Sequence, residues 1–146
     1  MTHRPKAPAL PVEDSVLTSP YGYRTHPVTG ELDSFHVGID LGGVPMGTPV
    51  KSVTCGTVRR IDQDGLGKGR INGWAIWVRD PQGRAWAYLH LAKRPTLKVG
   101  DVVHRGDVVG LLGSSGRSTG PHLHLSVYIG GKHVDPWPLL MESQNV

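Results

Sequence analysis

Two histidines one residue apart in an apolar run are the first residues that could do chemistry. The segment TGPHLHLSV, residues 119–127, places His122 and His124 among leucines. Residues i and i+2 of a β-strand point to the same face, so both imidazoles share one face while Leu123 and Leu125 occupy the other. A metal ion can bind one neutral imidazole and leave the second beside it for proton transfer. The H-x-H pattern alone also fits a solvent-facing strand on which histidine is merely polar.

A second set of ligand-type residues stands in the segment FHVGIDLGG. His36 and Asp40 are four residues apart, so an extended segment would place both on one face. Val37, Ile39 and Leu41 would then take the opposite, apolar face. Two imidazoles and a carboxylate form a three-ligand set of the kind that holds catalytic zinc and leaves a fourth position open. Because both segments alternate between apolar and ligand-type residues, we predict one metal site built from the two.

A third candidate ends the segment AYLHL, residues 87–91. His90 closes the second strand of a predicted hairpin, in which WAIWVRD and RAWAYLH flank the turn sequence DPQG. Taken alone, a histidine in this position is more often a surface or half-buried residue than a functional one.

Short strands must position these residues. The chain has 146 residues, which suits one domain with its own core. It contains 20 glycines and 12 prolines and few helix-period patterns, a combination that favours many short strands joined by tight turns. We therefore predict a mainly β protein, a compact antiparallel sheet fold with little helix. The predicted strands lie near residues 16–18, 37–41, 49–54, 57–62, 74–80, 84–90, 107–112 and 123–129.

The predicted domain spans residues 15–138. Residues 1–14 are rich in proline and alanine and are predicted to form an extended N-terminal arm. Residues 139–146 are predicted to form a short C-terminal tail. The segment GLGKGRING, residues 65–73, contains four glycines and is predicted to be a mobile loop.

Composition limits the compartments and partners that the chain would have. The formal net charge of +4 favours a polyanionic partner, but the basic residues are scattered, so we predict no nucleic-acid partner. The single cysteine, Cys55, allows no intrachain disulfide, and its place in VTCGTV indicates a small buried residue. No apolar run approaches the roughly 20 residues of a membrane span. The opening MTHRPKAPALPVEDS lacks the apolar region of a signal peptide.

In combination the three motifs are far more specific than they are apart. The order H-x-G-x-D, Y-x-H-L and T-G-P-H-L-H resembles that of the lysostaphin- and LytM-like zinc metallopeptidases, the M23 peptidase family. The resemblance runs from about Ser19 (SPYGYRTHPVTG) to VDP at residues 134–136. It includes the segments GTPVKSVTCGTV and KVGDVVHRGDVVGLLGSSGRSTGPHLH. It implies a β fold of the LytM/lysostaphin catalytic-domain type.

The resemblance also implies zinc as the cofactor and a role for each candidate residue. His36, Asp40 and His124 would bind the metal, while His122 and His90 would flank it and serve catalysis. The sequence has no HExxH motif, and no carboxylate adjoins the motifs in a matching position, so histidines must move the proton. We assign His122 as the general base and His90 to the oxyanion or to orientation. The opposite assignment, with His90 as the general base and His122 at the oxyanion, is the alternative.

The activity implied by the resemblance is zinc-dependent hydrolysis of peptide bonds in peptidoglycan. The opening TSPYGYRTHPVTGE favours the D,D-endopeptidase branch, which cleaves D-Ala–diaminopimelate cross-links, over the glycyl-glycine branch. The chain would act as a monomer on a peptidoglycan peptide, in the periplasm or outside the cell. A wall hydrolase without a leader in this chain suggests a phage endolysin or a virion component. A bacterial enzyme trimmed of its leader is the alternative.

Three further functions compete with this hypothesis. Non-catalytic relatives that activate cell-wall amidases have lost metal ligands, whereas all five candidate site residues are present here. The segment KVGDVVHRGDVVG resembles hairpins of biotinyl and lipoyl carrier domains, but the corresponding turn, GSSGRST, has no lysine to modify. A nucleic-acid binder, which rests on charge alone, leaves the histidine pattern unexplained.

Overall fold

The computed structural model describes residues 10–24, 34–64, 73–113 and 121–142. Within these ranges the chain forms short strands followed by one short helix. The strands are β1 (Val16–Ser19), β2 (Gly22–Arg24), β3 (Ser34–His36), β4 (Ile39–Gly42), β5 (Pro49–Lys51), β6 (Gly56–Asp64), β7 (Gly73–Arg79), β8 (Ala85–Leu91), β9 (Val102–Val103), β10 (Val108–Leu111), β11 (His122–Ile129) and β12 (Lys132–Val134), and the helix is α1 (Pro136–Glu142).

One large antiparallel sheet contains most of the strands. Its order is β1-β4-β11-β8-β7-β6-β9, with β12 paired to β11. Two small sheets join β5 to β10 and β2 to β3, also antiparallel. Strands β4, β11 and β8, which carry parts of all three histidine motifs, are therefore adjacent. The predicted fold class, mainly β with little helix, is confirmed.

Side-chain alternation along these strands separates an apolar core from a polar face. Leu123 and Leu125 of β11 are fully buried, and Ile39 and Leu41 of β4 lie in the same core cluster. Burying each of these side chains stabilises the fold by roughly 1.5–3 kcal/mol. The core therefore fixes which face of β4 and β11 is polar, as the alternation of the sequence predicts.

The predicted hairpin is formed by β7 and β8, with Arg79 opposite Ala85. Hydrogen bonds to the buried carboxylate of Asp80 stabilise its turn. This group accepts hydrogen bonds from the backbone N–H of Arg84 at 2.8 Å, from the Arg84 Nε and from the indole N–H of Trp86 at 3.0 Å. Burial raises the pKa of Asp80, but these hydrogen bonds outweigh it and hold the pKa below its ordinary value.

Several elements lie outside the sequence prediction. Strands β2, β3, β9 and β12 have at most three residues each, which is too short for a recognisable alternation. The helix α1 takes in residues 139–142 of the predicted tail, and Leu140 is buried in the core. Residues 10–14 of the predicted arm also meet the domain, since Val12 is fully buried and pairs with Val50.

Two smaller expectations have different outcomes. The prediction that Cys55 is buried is wrong, because β5 ends before it and β6 begins after it, which leaves the thiol exposed in the connection. The predicted loop at 65–73 lies outside the described residues except for its last glycine. Over the described ranges, the structure holds no helix with the length and apolar composition needed to cross a membrane.

We expect Asp80→Ala to lower the free energy of unfolding by about 2–4 kcal/mol, because it leaves the Trp86 indole N–H and the Arg84 guanidinium without their buried partner. Glu13→Ala is the control. It removes an exposed carboxylate 3.6 Å from Lys51 and should cost no more than about 1 kcal/mol in urea denaturation. Equal effects of the two substitutions would contradict the role given to Asp80.

The Asp80 contribution should also depend on pH in a definite direction. Because the folded-state pKa lies below that of an unfolded aspartate, the stabilisation is complete above about pH 4. It is lost as the pH falls through the lower, folded-state pKa. The difference in unfolding free energy between the parent and Asp80→Ala should therefore shrink on acidification.

Candidate metal centre

The pairing of the strands brings the predicted ligand residues together. His124 of β11 lies directly opposite Asp40 of β4, and its other neighbour in the sheet is Leu89 of β8. His36 comes from β3 in the small sheet, where it pairs with Gly22. One carboxylate and two imidazoles from distant parts of the chain therefore meet on the polar face.

Three side-chain atoms of this group lie within hydrogen-bonding distance of one another. The Nδ1 atom of His124 is 2.9 Å from the Oδ1 atom of Asp40. The Nε2 atom of His36 is 3.3 Å from the same oxygen and 3.2 Å from His124 Nδ1. Among the described residues these three form the group that could hold a metal ion.

Backbone carbonyls determine which imidazole nitrogens carry hydrogen. The Nδ1 atom of His36 is 2.9 Å from the carbonyl oxygen of Pro20, and the Nε2 atom of His124 is 2.9 Å from that of Val37. Since a carbonyl oxygen only accepts, each of these nitrogens is the N–H donor. In the neutral rings, His36 Nε2 and His124 Nδ1 are therefore left with bare lone pairs.

The donor set fits a divalent cation. Two nitrogen lone pairs and a carboxylate oxygen face one another across 2.9–3.3 Å, and they repel unless a positive charge lies between them. Ligand atoms about 2.0 Å from a tetrahedral zinc ion are separated by about 3.3 Å, which these distances approach. Two imidazoles and one carboxylate are also a ligand set typical of catalytic zinc.

The same need for positive charge is visible in the pKa of Asp40. Burial raises the pKa of this carboxyl, but the interactions with His124 and His36 outweigh the burial and hold the pKa well below its usual range. Asp40 is therefore an anion at neutral pH, the state that a metal ligand requires.

A glycine between the first two predicted ligands allows the chain to cross β11. Gly38 has a φ of 135°, and a Cβ atom there would lie 2.5 Å from the Leu125 carbonyl oxygen and 2.7 Å from His124 Nε2. The crossing aims the Val37 carbonyl at His124. The predicted extended segment 37–41 is thus wrong at its start: Val37 is only half-buried and does not join the core face, because the chain turns at Gly38.

The two predicted catalytic histidines flank this group. The Nε2 atom of His122 is 3.9 Å from Asp40 Oδ1. The rings of His90 and His122 are 4.9 Å apart between centroids, and His90 is 6.1 Å from the ring of His124. All five residues singled out in the sequence are therefore brought to one place.

His90 reaches the polar face through an irregularity in β8. Tyr88 is fully buried in the core, so strict alternation would turn His90 towards the core as well. Instead the register of β7 and β8 shifts, so that Leu89 and His90 lie opposite the single residue Ala75. The backbone of His90 is left-handed, with a φ of 64°, which is costly for a residue with a Cβ atom.

Sequence reasoning missed the residues that orient the imidazoles. The carbonyls of Pro20 and Val37 carry no side-chain signature and could not be recognised. Ser126 could have been found, because it continues the alternation of His122 and His124 along β11. Its hydroxyl lies 2.9 Å from His124 Nε2.

Comparison with known families and proteins gives matches over most of the chain. The model of peptidase family M23 matches residues 34–136. The chain is 38% identical over 122 residues to the DD-carboxypeptidase/endopeptidase Mpg of Neisseria meningitidis, with 82% of the chain and 26% of Mpg covered. It is 36% identical over 124 residues to lysostaphin of Staphylococcus simulans, with 82% and 24% covered. The chain thus spans about a quarter of the length of these relatives.

Solved structures agree with these matches. A zinc containing peptidase from Vibrio cholerae superposes with a TM-score of 0.73 at 34% identity, covering 86% of the chain and 37% of the peptidase. The catalytic domain of a mutant of the prophage-encoded M23 protein EnpA from Enterococcus faecalis superposes with a TM-score of 0.72 at 35% identity, covering 85% and 90%.

We expect His90→Gly to unfold with a free energy about 1 kcal/mol higher than His90→Ala, because glycine adopts a left-handed backbone without a Cβ penalty. Chelator-treated proteins compared by urea denaturation would give the difference. His122→Gly and His122→Ala are the matched pair in β11, where glycine should be the less stable by about 0.5–1 kcal/mol. If the glycine variant were less stable than the alanine variant at both positions, the backbone strain assigned to His90 would be contradicted.

Proposed function

Because the chain belongs to peptidase family M23, we propose that it is a zinc-dependent endopeptidase that cleaves peptide bonds in peptidoglycan. The observation that carries the proposal is the convergence of lone-pair atoms from His36, Asp40 and His124 beside two further imidazoles. Zinc is supported by the likeness to the zinc containing peptidase from Vibrio cholerae. Peptidoglycan is supported by the family and by the resemblance of the motifs.

In this proposal His36 binds the metal through Nε2, Asp40 through Oδ1 and His124 through Nδ1. Zinc held there would act as a Lewis acid and would lower the pKa of water, so that a nucleophile is available at neutral pH. The Pro20 and Val37 carbonyls hold the two imidazoles in the tautomers that this binding requires.

His122 is the proposed general base. Its Nε2 atom is 3.9 Å from the Asp40 ligand oxygen, so the His122 ring stands beside the ligand atoms without being one of them. A neutral imidazole can take a proton from the attacking water and return it to the leaving amine. The mixed environment, partly buried but next to a carboxylate, suits a group that must hold a proton between the two steps.

His90 is the proposed partner for the oxyanion. It is buried, and its ring lies 4.9 Å from that of His122. An N–H donor in a water-poor position stabilises developing negative charge more strongly than one in water. Its strained backbone supports a functional role, because such strain persists at sites where the surrounding structure holds the residue in place. An exchange of roles with His122 is compatible with the same distances.

The proposed bond is the D-Ala–diaminopimelate cross-link. The segment TSPYGYRTHPVTGE favours this bond, and the similarity to the DD-carboxypeptidase/endopeptidase Mpg agrees with it. A glycine bridge is the second candidate, because lysostaphin is 36% identical against 38% for Mpg, a difference too small to separate the two bonds. The presence of all five site residues in one group weighs against a non-catalytic amidase activator.

The proposed place of action is the cell wall, where the chain would work as a monomer. The likeness to the prophage-encoded EnpA supports a phage lytic enzyme, and the likeness to the Neisseria and Vibrio proteins supports a bacterial one. We favour the phage enzyme, carried by a virion or released from the host cytoplasm at lysis.

Digestion of purified peptidoglycan tests the proposal. Zinc-loaded protein should release un-cross-linked stem peptides from a diaminopimelate wall, and a chelator should stop the release, as read from product masses. Cleavage of glycine bridges alone would support the endopeptidase activity but would identify the glycine bridge, rather than the D-Ala–diaminopimelate cross-link, as the substrate bond. No cleavage of either wall by zinc-loaded protein would contradict the proposed activity.

His122→Ala is the matched inactive variant for this digestion. Product formation should fall about 10²–10⁴-fold, the usual contribution of a general base, while one zinc ion per chain stays bound. His104→Ala, which removes an exposed histidine, should leave product formation and zinc content unchanged. Loss of zinc from His122→Ala would contradict the division between ligands and proton carriers.

A further inference from the structure

We propose that Ser126 is a positioning residue that fixes the tautomer and orientation of His124, so that the affinity of the site for zinc depends on its hydroxyl. The inference deepens the proposed function and rests on it in one respect, the role of His124 as a ligand through Nδ1. Ser126 itself touches neither the ligand atoms of Asp40 nor those of His36 in the described contacts; it acts through the far side of the His124 ring.

Ser126 is placed by the alternation of β11. It follows His124 by two residues and shares its face, while Leu125 and Val127 on either side are fully buried in the core. In the neighbouring strand it lies opposite Ala87, whose small side chain leaves the hydroxyl free to point along its own strand towards His124. Ser126 is only 3% exposed, so water is a poor partner for its hydroxyl, which must be satisfied by the protein.

The hydroxyl has two partners that define its direction. It donates its hydrogen to the Val37 carbonyl oxygen at 2.8 Å, and its oxygen is 2.9 Å from His124 Nε2. Since its one hydrogen is used on Val37, the oxygen faces His124 Nε2 as an acceptor. The Val37 carbonyl, 2.9 Å from the same nitrogen, is an acceptor as well. Both groups therefore favour the tautomer with hydrogen on Nε2.

A competing tautomer makes this preference matter. With its hydrogen on Nδ1, His124 would donate to the Asp40 carboxylate 2.9 Å away, and a hydrogen bond to a charged acceptor is strong. That tautomer occupies the lone pair that the metal needs. The two acceptors beside Nε2 favour the other tautomer. Removing one of them would increase the share of His124 with hydrogen on Nδ1 and would leave the orientation of the His124 ring less restrained.

A simpler role must be distinguished from this one. Because Ser126 also binds the Val37 carbonyl, it ties β11 to the crossing segment at Gly38, and its loss would lower the free energy of unfolding whether or not His124 is affected. Zinc affinity and the tautomer of His124 are readouts that a purely structural tie would leave unchanged.

Competition with a chromophoric chelator would measure zinc affinity. Ser126→Ala should bind zinc about 10–100-fold more weakly than the parent, the usual effect of removing a partner of a ligating histidine. Ser126→Thr and Ser126→Val have nearly the same shape and differ in the hydroxyl, so the threonine variant should bind at least tenfold more tightly than the valine variant. Ser52→Ala removes another buried serine, whose hydroxyl donates to the Thr54 carbonyl, and should bind as the parent does.

Long-range ¹H–¹⁵N spectra of the metal-free proteins would report the tautomer directly. The parent should show His124 with hydrogen on Nε2, and Ser126→Ala should show an increased share with hydrogen on Nδ1. Parent-like zinc affinity in Ser126→Ala, or equal affinities of the threonine and valine variants, would overturn the inference. If the parent binds no zinc, the proposed function fails, and the tautomer measurement still decides the role of Ser126: an unchanged tautomer in Ser126→Ala would overturn it.

Discussion

Two imidazole lone pairs and a carboxylate oxygen held within 3.3 Å of one another repel unless a positive charge lies among them. The fold keeps them there. The low pKa of Asp40 is one expression of this constraint, and the fit to a divalent cation is another. Because ligand preorganisation is established before any ion binds, the binding energy of the ion need not assemble the site.

Two departures from regular strand geometry surround these atoms. The chain turns at Gly38 so that the Val37 carbonyl meets His124, and β8 gains a residue so that His90 leaves the core face. The glycine at position 38 permits the first, but the left-handed backbone of His90 is costly on its own. They persist because the strands that carry them are anchored by a continuous core under β4, β11 and β8, which includes Leu41, Leu123 and Tyr88.

The sequence predicted what depends on residue type and alternation. The polar face of β11, the burial of Leu123 and Leu125 beside its histidines and the β7–β8 hairpin follow from such patterns. The convergence of all five candidate residues, His90 included, was implied by the resemblance to the M23 family. The orientation of Val37, the bulge at His90 and the carbonyls that select the tautomers could not be predicted, since they depend on φ angles and on contacts between distant segments. The small strands β2 and β3, which position His36, are too short to carry a pattern.

The central claim is that one zinc ion is bound through His36 Nε2, Asp40 Oδ1 and His124 Nδ1. Anomalous diffraction at the zinc edge, from crystals of the zinc-loaded protein, would test it most directly. A single peak bonded to these three atoms is the predicted result. A zinc ion bonded to His124 through Nε2, or a peak away from this group, would contradict both the tautomers and the metal centre derived from them.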